Sequence, residues 1–236
     1  MVDEAMRFLI DHIKAAKQQE RERWWKGGAE VLIVDDGSTD DTARVAEALA
    51  STWEKEGGQV GVEVRVVQLE RNRGKGGAVR HGVLFSRGRR ILFADADGAS
   101  TFADLTLLQR AMDKLLDSPT SNGHAVVVGS RAHMVNSDAV VKLFTRTTAR
   151  TLFPTLHLHR WSFDVELLLL AQILRLPIAE VSIRWHEVPG SKINVGWDGL
   201  GMARDLVVLR GNLALGRWVV PKVVMNDDEE EEKVER

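Results

Sequence analysis

Asp95-Ala96-Asp97 carries the sharpest chemical signal in this chain, directly after the apolar run Ile91-Leu92-Phe93 and before Gly98. Two carboxylates one residue apart at a strand end can bind Mg²⁺ or Mn²⁺, hard cations that take oxygen ligands and bridge to substrate phosphates. Acidic turns are common, so the pair alone leaves a plain turn open. A second acidic turn, Asp35-Asp36-Gly37-Ser38, ends the apolar run Val31 to Val34. A carboxylate there can accept hydrogen bonds from a ribose hydroxyl or a base N–H, with an Asx turn and helix cap as the alternative. The third feature is Asn72-Arg73-Gly74-Lys75-Gly76-Gly77-Ala78, where glycines bring backbone N–H groups and two cations, Arg73 and Lys75, to the start of a helix. That arrangement suits an anion or nucleotide. Its glycine spacing is neither the dinucleotide fingerprint nor a Walker loop, which disfavours a kinase or an ordinary dehydrogenase. Arg131, after Val126 to Ser130, adds a guanidinium suited to bidentate phosphate contact. Together, the acidic pair, the second acidic turn and the cationic loop describe a nucleoside-diphosphate site.

The elements that must hold these residues alternate. Residues 3 to about 25 predict an amphipathic helix with Met6, Leu9, Ile10, Ile13 and Lys14 at helical spacing. Val31 to Val34 predicts a buried strand, and Asp40 or Asp41 caps a helix running to Glu56 before Gly57 and Gly58. Strands at Val62 to Leu69, Arg90 to Ala94 and Ala125 to Gly129 follow, with helices at Lys75 to Ser86 and Phe102 to Asp117 between them. Further on, a helix near Ser162 to Leu174, a strand near Ile178 to Arg184 and a helix from Leu200 to Arg217 continue the chain. Alternation at this interval predicts a doubly wound α/β sheet whose ligands sit beyond the carboxyl ends of the strands, where each motif above falls.

Composition bounds the partners. With 32 Lys and Arg against 34 Asp and Glu, the net charge of -2 gives no reason to expect nucleic acid. The absence of cysteine excludes disulfides, thiolate metal sites and thiol nucleophiles. No apolar run reaches the roughly 18 to 20 residues of a membrane span, and Asp3 and Glu4 precede any apolar run, the wrong order for a secretory signal. The expected organisation is a single domain over 1–226 with a solvated acidic tail over 227–236.

The segments VDDGSTDDT, LERNRGKGGAVRHG, ILFADADGAS, VVGSRAH, HRWSFDVELLLLAQ, LPIAEVSIRWHEVPGSKI and MARDLVVLR, in this order over most of residues 28 to 217, resemble the dolichyl-phosphate β-glucosyltransferases. These are family-2 glycosyltransferases of the GT-A fold, a Rossmann-like, mostly parallel sheet flanked by helices. The resemblance implies transfer of glucose from UDP-glucose to dolichyl phosphate, with inversion, at the cytosolic face of the endoplasmic reticulum, for assembly of the N-glycan precursor. It implies that Asp36, with Asp35 beside it, contacts the uridine, that Lys75 lies near the nucleotide, and that Asp95 and Asp97 bind Mg²⁺ or Mn²⁺; Arg73 and Arg160 are further substrate-binding candidates. Arg160, Trp161, Asp164 and Glu166 match an Arg-Trp-x-Phe-Asp-Val-Glu segment of the family. Asp164 there can point at the donor sugar, orient a cation, or serve a local cap or ion pair. Gly190-Ser191-Lys192 resembles a loop that closes on phosphate, so Ser191 and Lys192 are substrate-binding candidates. Asp97, Arg131 and Asp164 are the catalytic candidates.

Two departures from the family pattern are expected to matter. The first strand of the family, with its Pro-x-Tyr-Asn-Glu type motif, has no counterpart here, and neither does a long segment with an Asp-Thr-Gln-Cys-Gly-Phe-Lys motif, where only Met134 to Val141 intervene. A non-catalytic remnant that binds a nucleotide sugar or a partner, or another family-2 enzyme such as a polyprenyl-phosphate mannosyltransferase, are the alternatives. Trp197 to Trp218 mixes aromatic and aliphatic residues with Arg204, Arg210 and Arg217, a composition suited to peripheral membrane contact or to a core-packing helix.

Overall fold

The computed structural model describes residues 2–19, 24, 27–95, 100–130, 139–184 and 195–223. Helix α1, Val2–Gln19, buries Met6, Leu9, Ile10 and Ile13, the four apolar positions that recur on one helical face. Each such side chain contributes about 1.5 to 3 kcal/mol on burial. Lys14, expected on that stripe, is exposed: its ammonium stays in water, one position beyond the buried Ile13.

Strand β1, Ala29–Asp35, leads through helix α2, Thr42–Gly57, to strand β2, Val62–Gln68, which pairs with it in parallel, Ala29 opposite Val62 and Asp35 opposite Gln68. Of the two expected caps of α2, Asp40 supplies the side-chain bond, its Oδ1 accepting from the Thr42 N–H at 3.0 Å. Asp41 occupies the cap position without a capping bond. Helix α3, Lys75–Phe85, then crosses to strand β3, Arg90–Phe93. Helix α4 spans Leu105–Leu116, strand β4 Val126–Ser130, strand β5 Ala139–Thr145, helix α5 Arg146–Leu152, helix α6 Phe163–Ile173, strand β6 Ile178–Ser182 and helix α7 Val195–Ala214.

Among the described residues the strands form two sheets, one of them mixed, where a mostly parallel sheet was expected. One is the parallel pair β1-β2; the other has the order β3-β5-β4-β6, with β5 antiparallel to both neighbours and β4 parallel to β6. The link over 131–138 is shorter than the dozen or more residues a parallel crossover needs, so β5 returns antiparallel beside β4. Both sheets share the same helical cover. One layer joins α1, α2 and α4 to Val62, Val64, Val127 and Leu143; the other joins α3, α5, α6 and α7 to Ile91, Val126, Val128 and Phe144. Alternation along β5 divides its residues between the layers: Val141 and Leu143 face the first, Phe144 the second. Lys142, two residues before Phe144, takes the second face too.

The chain order creates a switch point. It leaves β1 for β2, then returns through α3 past β1 to β3, and α3 packs against both β1 and β3. A crevice at the carboxyl ends of β1 and β3 is where open α/β sheets bind ligands.

Candidate functional site

At the end of β1, Asp35 is 5 % exposed, and its carboxylate accepts from the Ser38 hydroxyl at 2.5 Å and the Ser38 N–H at 3.2 Å. These bonds close the acidic turn. The next carboxylate faces the other way: Asp36 Oδ1 accepts from the Arg73 N–H at 2.8 Å, tying the β1 turn to the loop that opens α3. Gly74 sits at a φ of +79°, a region open to glycine, and a Cβ there would lie 2.6 Å from the His159 carbonyl oxygen. At Gly76 a Cβ would lie 2.7 Å from the Phe163 Cβ. The glycines thus let α3 lie against the 158–163 segment, and the Gly77 N–H donates to the His159 carbonyl at 3.1 Å. The Gly74 N–H is likewise engaged, by Asn72 Oδ1 at 3.0 Å. Close packing therefore uses N–H groups that the sequence reading offered to an anion.

Lys75, the first residue of α3, reaches to the carboxyl end of β3. Its Nζ is 2.7 Å from Asp95 Oδ2 and 5.0 Å from the centre of the Trp161 ring, so a cation contacts both a carboxylate and an aromatic face. Arg160 is exposed, with its Cγ against Gly74. Asp36, Arg73, Lys75, Asp95, Arg160 and Trp161, from four separate segments, are thereby brought to one rim. Asp97, Arg131, Ser191 and Lys192 lie outside the described residues. Among the described residues no cluster of three or more His, Asp or Glu side chains is arranged to hold a metal ion. Asp95, which is one half of the acidic pair, is a partly exposed oxygen donor of the kind Mg²⁺ or Mn²⁺ takes.

Behind the rim lies a second ion pair, Lys142 Nζ to Asp164 Oδ2 at 3.0 Å. In the sheet Lys142 stands between Phe93 and Val128, its Nζ lies 5.0 Å from the Phe93 ring centre, and its side chain is 0 % exposed. Burial pushes the Lys142 ammonium below its ordinary range, opposed by the attraction of Asp164. Burial likewise pushes the Asp164 carboxyl up, opposed by Lys142 and by Lys75. Lys142 is the site residue the sequence reading missed. Its one signal was a lysine at an inward position of an otherwise apolar strand.

Glu166 is structural. It is buried and accepts from the His157 N–H at 3.0 Å, the Leu158 N–H at 2.7 Å and His157 Nδ1 at 2.9 Å. His157 in turn stacks on Trp218, ring centres 4.1 Å apart. At the far side Asp104 is buried and accepts from Arg184 Nε at 3.0 Å and its backbone N–H at 2.6 Å, fixing the chain just after β6.

Helix α7 packs on the second core layer through Leu209, with Leu213 against it, and also leaves apolar side chains exposed. Among its described side chains Leu209 is buried, while Val207 is 73 % exposed, and Leu206 and Met202 are exposed too; just past the helix, Leu215 is 71 % exposed. Arg204, Arg210 and Arg217 are exposed among them. Among the described residues no helix is long and apolar enough to cross a membrane.

Comparison with known proteins places the chain among relatives. Residues 7–159 match the profile of glycosyl transferase family 2. The chain is 38% identical to the dolichyl-phosphate beta-glucosyltransferase of Dictyostelium discoideum, with 93% of this chain and 72% of that protein aligned. It is 42% identical to the Drosophila melanogaster protein of the same name (82% and 67% aligned) and 36% identical to that of Homo sapiens (92% and 72%). The Dictyostelium alignment runs over 252 positions, more than the 236 residues of this chain, so that relative has residues with no counterpart here.

Proposed function

We propose a function for a chain that belongs to glycosyl transferase family 2 and, within it, to the dolichyl-phosphate β-glucosyltransferases: it transfers glucose from UDP-glucose to dolichyl phosphate. The observation that carries this reading is the shared name of relatives at 36% to 42% identity over most of the chain. That name favours glucose over the mannose alternative. The two sheets, under one pair of helical layers, are read as the flanks of a single GT-A sheet.

On this reading Asp36, braced by the Arg73 N–H, contacts the uridine, and Asp35 sets the turn that carries it. Arg73, Lys75 and Arg160 surround the diphosphate, joined by Ser191 and Lys192 on the acceptor side. Asp95 and Asp97 would hold Mg²⁺ or Mn²⁺, which would supply positive charge to the diphosphate. An oxygen of the acceptor phosphate forms a bond to the anomeric carbon as the bond from that carbon to the β-phosphate oxygen of UDP breaks, with inversion. The acceptor phosphate is already ionised at neutral pH, so no strong base is needed. Arg131 and Lys75 stabilise the charge that develops on departing UDP, an interaction stronger in the transition state than before it. The reaction is placed at the cytosolic face of the endoplasmic reticulum, with α7 in peripheral contact with the bilayer that holds the acceptor.

The test is transfer of labelled glucose from UDP-glucose to a short polyprenyl phosphate with Mn²⁺. The native chain forms the glucosyl phosphate lipid, and Asp97→Ala lowers the rate by about a hundredfold or more. A folded chain that binds UDP-glucose without transferring glucose sinks this reading in favour of a binding remnant.

A further inference from the structure

We propose that Asp164, positioned by Lys142, is the subsite that accepts a hydroxyl of the donor's hexose. The inference deepens the proposed function and rests on it.

Asp164 has two carboxylate oxygens in different situations. Oδ2 is held by Lys142 at 3.0 Å, whereas Oδ1 is buried and has no hydrogen-bond partner among the described residues. A carboxylate oxygen out of water and unpartnered is costly, and a ligand hydroxyl donating to it removes the cost. The location suits a sugar on a nucleoside diphosphate. Phe163, next to Asp164, packs on Phe93 with ring centres 5.8 Å apart, and Phe93 precedes Asp95 by two residues. Lys75 and Asp95, on the rim, are both close enough to act electrostatically on the Lys142–Asp164 pair. The pair thus lies one layer beneath the groups assigned to the diphosphate, on the sheet side of the crevice.

Lys142 explains why the oxygen is available. It projects from the second face of β5, between Phe93 and Val128, and that apolar row leaves its ammonium little freedom. With Oδ2 fixed there, the planar carboxylate has one orientation, and Oδ1 is presented to the ligand. Lys142 is accordingly a positioning residue and Asp164 the contact. A site built this way discriminates by penalty: a ligand without the hydroxyl leaves the oxygen buried and unpaired.

The experiment is isothermal titration of the full chain with UDP-glucose and, separately, with UDP, for the native protein, Asp164→Ala, Lys142→Met and the double variant Lys142→Met/Asp164→Leu. Each variant is first checked for a cooperative thermal transition. The double variant removes both charges of the Lys142–Asp164 pair together, so it tests the idea even where a single variant does not fold. Affinity for UDP-glucose is expected to fall about tenfold in the folded variants, while affinity for UDP changes less than about twofold. Equal losses for both ligands, or no loss for UDP-glucose, overturn the subsite and leave the donor reading standing. A native chain that binds neither ligand overturns the donor reading and the subsite with it.

Discussion

Single residues at this site are constrained from two sides, by ligand chemistry and by packing. Gly76 illustrates the second constraint. Its missing side chain is the space in which the Phe163 Cβ sits, so Gly76→Ala forces α3 away from α6. Overpacking of this kind costs about 1 to 3 kcal/mol, and urea denaturation is expected to show a midpoint lowered accordingly with an unchanged slope. An unchanged midpoint would mean that the 158–163 segment yields without cost. The buried Lys142–Asp164 pair is a residue-scale feature of the opposite kind, since its burial opposes the charged form of both partners. Lys142 is 0 % exposed and Asp164 26 %, so the pair opens from the core toward solvent, which fits a role in binding better than a role in stability.

Among the elements, the β1-β2 pair depends on charge at the ends opposite the site. Glu30 on β1 accepts from the Arg87 N–H at 2.8 Å and Arg87 Nε at 2.8 Å and also pairs with Arg65 of β2, while Arg87 pairs with Glu63 as well. Burial tends to raise the Glu30 carboxyl, but the hydrogen bonds from Arg87 and Arg65 outweigh it and hold the group below its ordinary 4.5. A carboxylate depressed on folding contributes stability that is complete above its unfolded value and is lost as pH falls through the lower folded value. Glu30→Gln is therefore expected to cost about 1 kcal/mol near neutral pH, a modest figure for partly solvated pairs. The gap to the native protein should close as pH drops below 4.5. Denaturation midpoints across that range decide it: a gap that persists into acid would show that shape, not charge, holds the junction.

For the whole molecule, the exposed apolar side chains in and after α7 set a second face beside the crevice. Val207 and Leu215 project into solvent with Arg204, Arg210 and Arg217 nearby, a mixture that favours an interface with anionic headgroups. Co-sedimentation with vesicles containing phosphatidylserine is expected for the native chain. Val207→Asp/Leu215→Asp should reduce the bound fraction several-fold while leaving the thermal midpoint nearly unchanged, since both positions are exposed. Equal sedimentation of the two proteins would remove α7 from the membrane-facing role.

Local elements, and the residue types at their ends, were legible in the amino-acid pattern. Period and punctuation are local properties, so α2, α3, α6, β2 and β6 fall close to their expected bounds, and Asp35, Asp95 and the glycine loop lie at or just past strand ends as read. The motif residues likewise identified the family before any coordinates. Tertiary structure alone decided how strands combine: the short 131–138 link sends β5 back antiparallel, and two sheets form where one mostly parallel sheet was expected. It also decided the partners. Lys142 and Asp164 are 22 positions apart in sequence, and no spacing rule joins them; they meet because β5 presents Lys142 on the face covered by α6. The same holds for Asp36 and Arg73, Lys75 and Asp95, and Asp104 and Arg184, contacts fixed by strand order and layer packing, which depend on the whole chain at once.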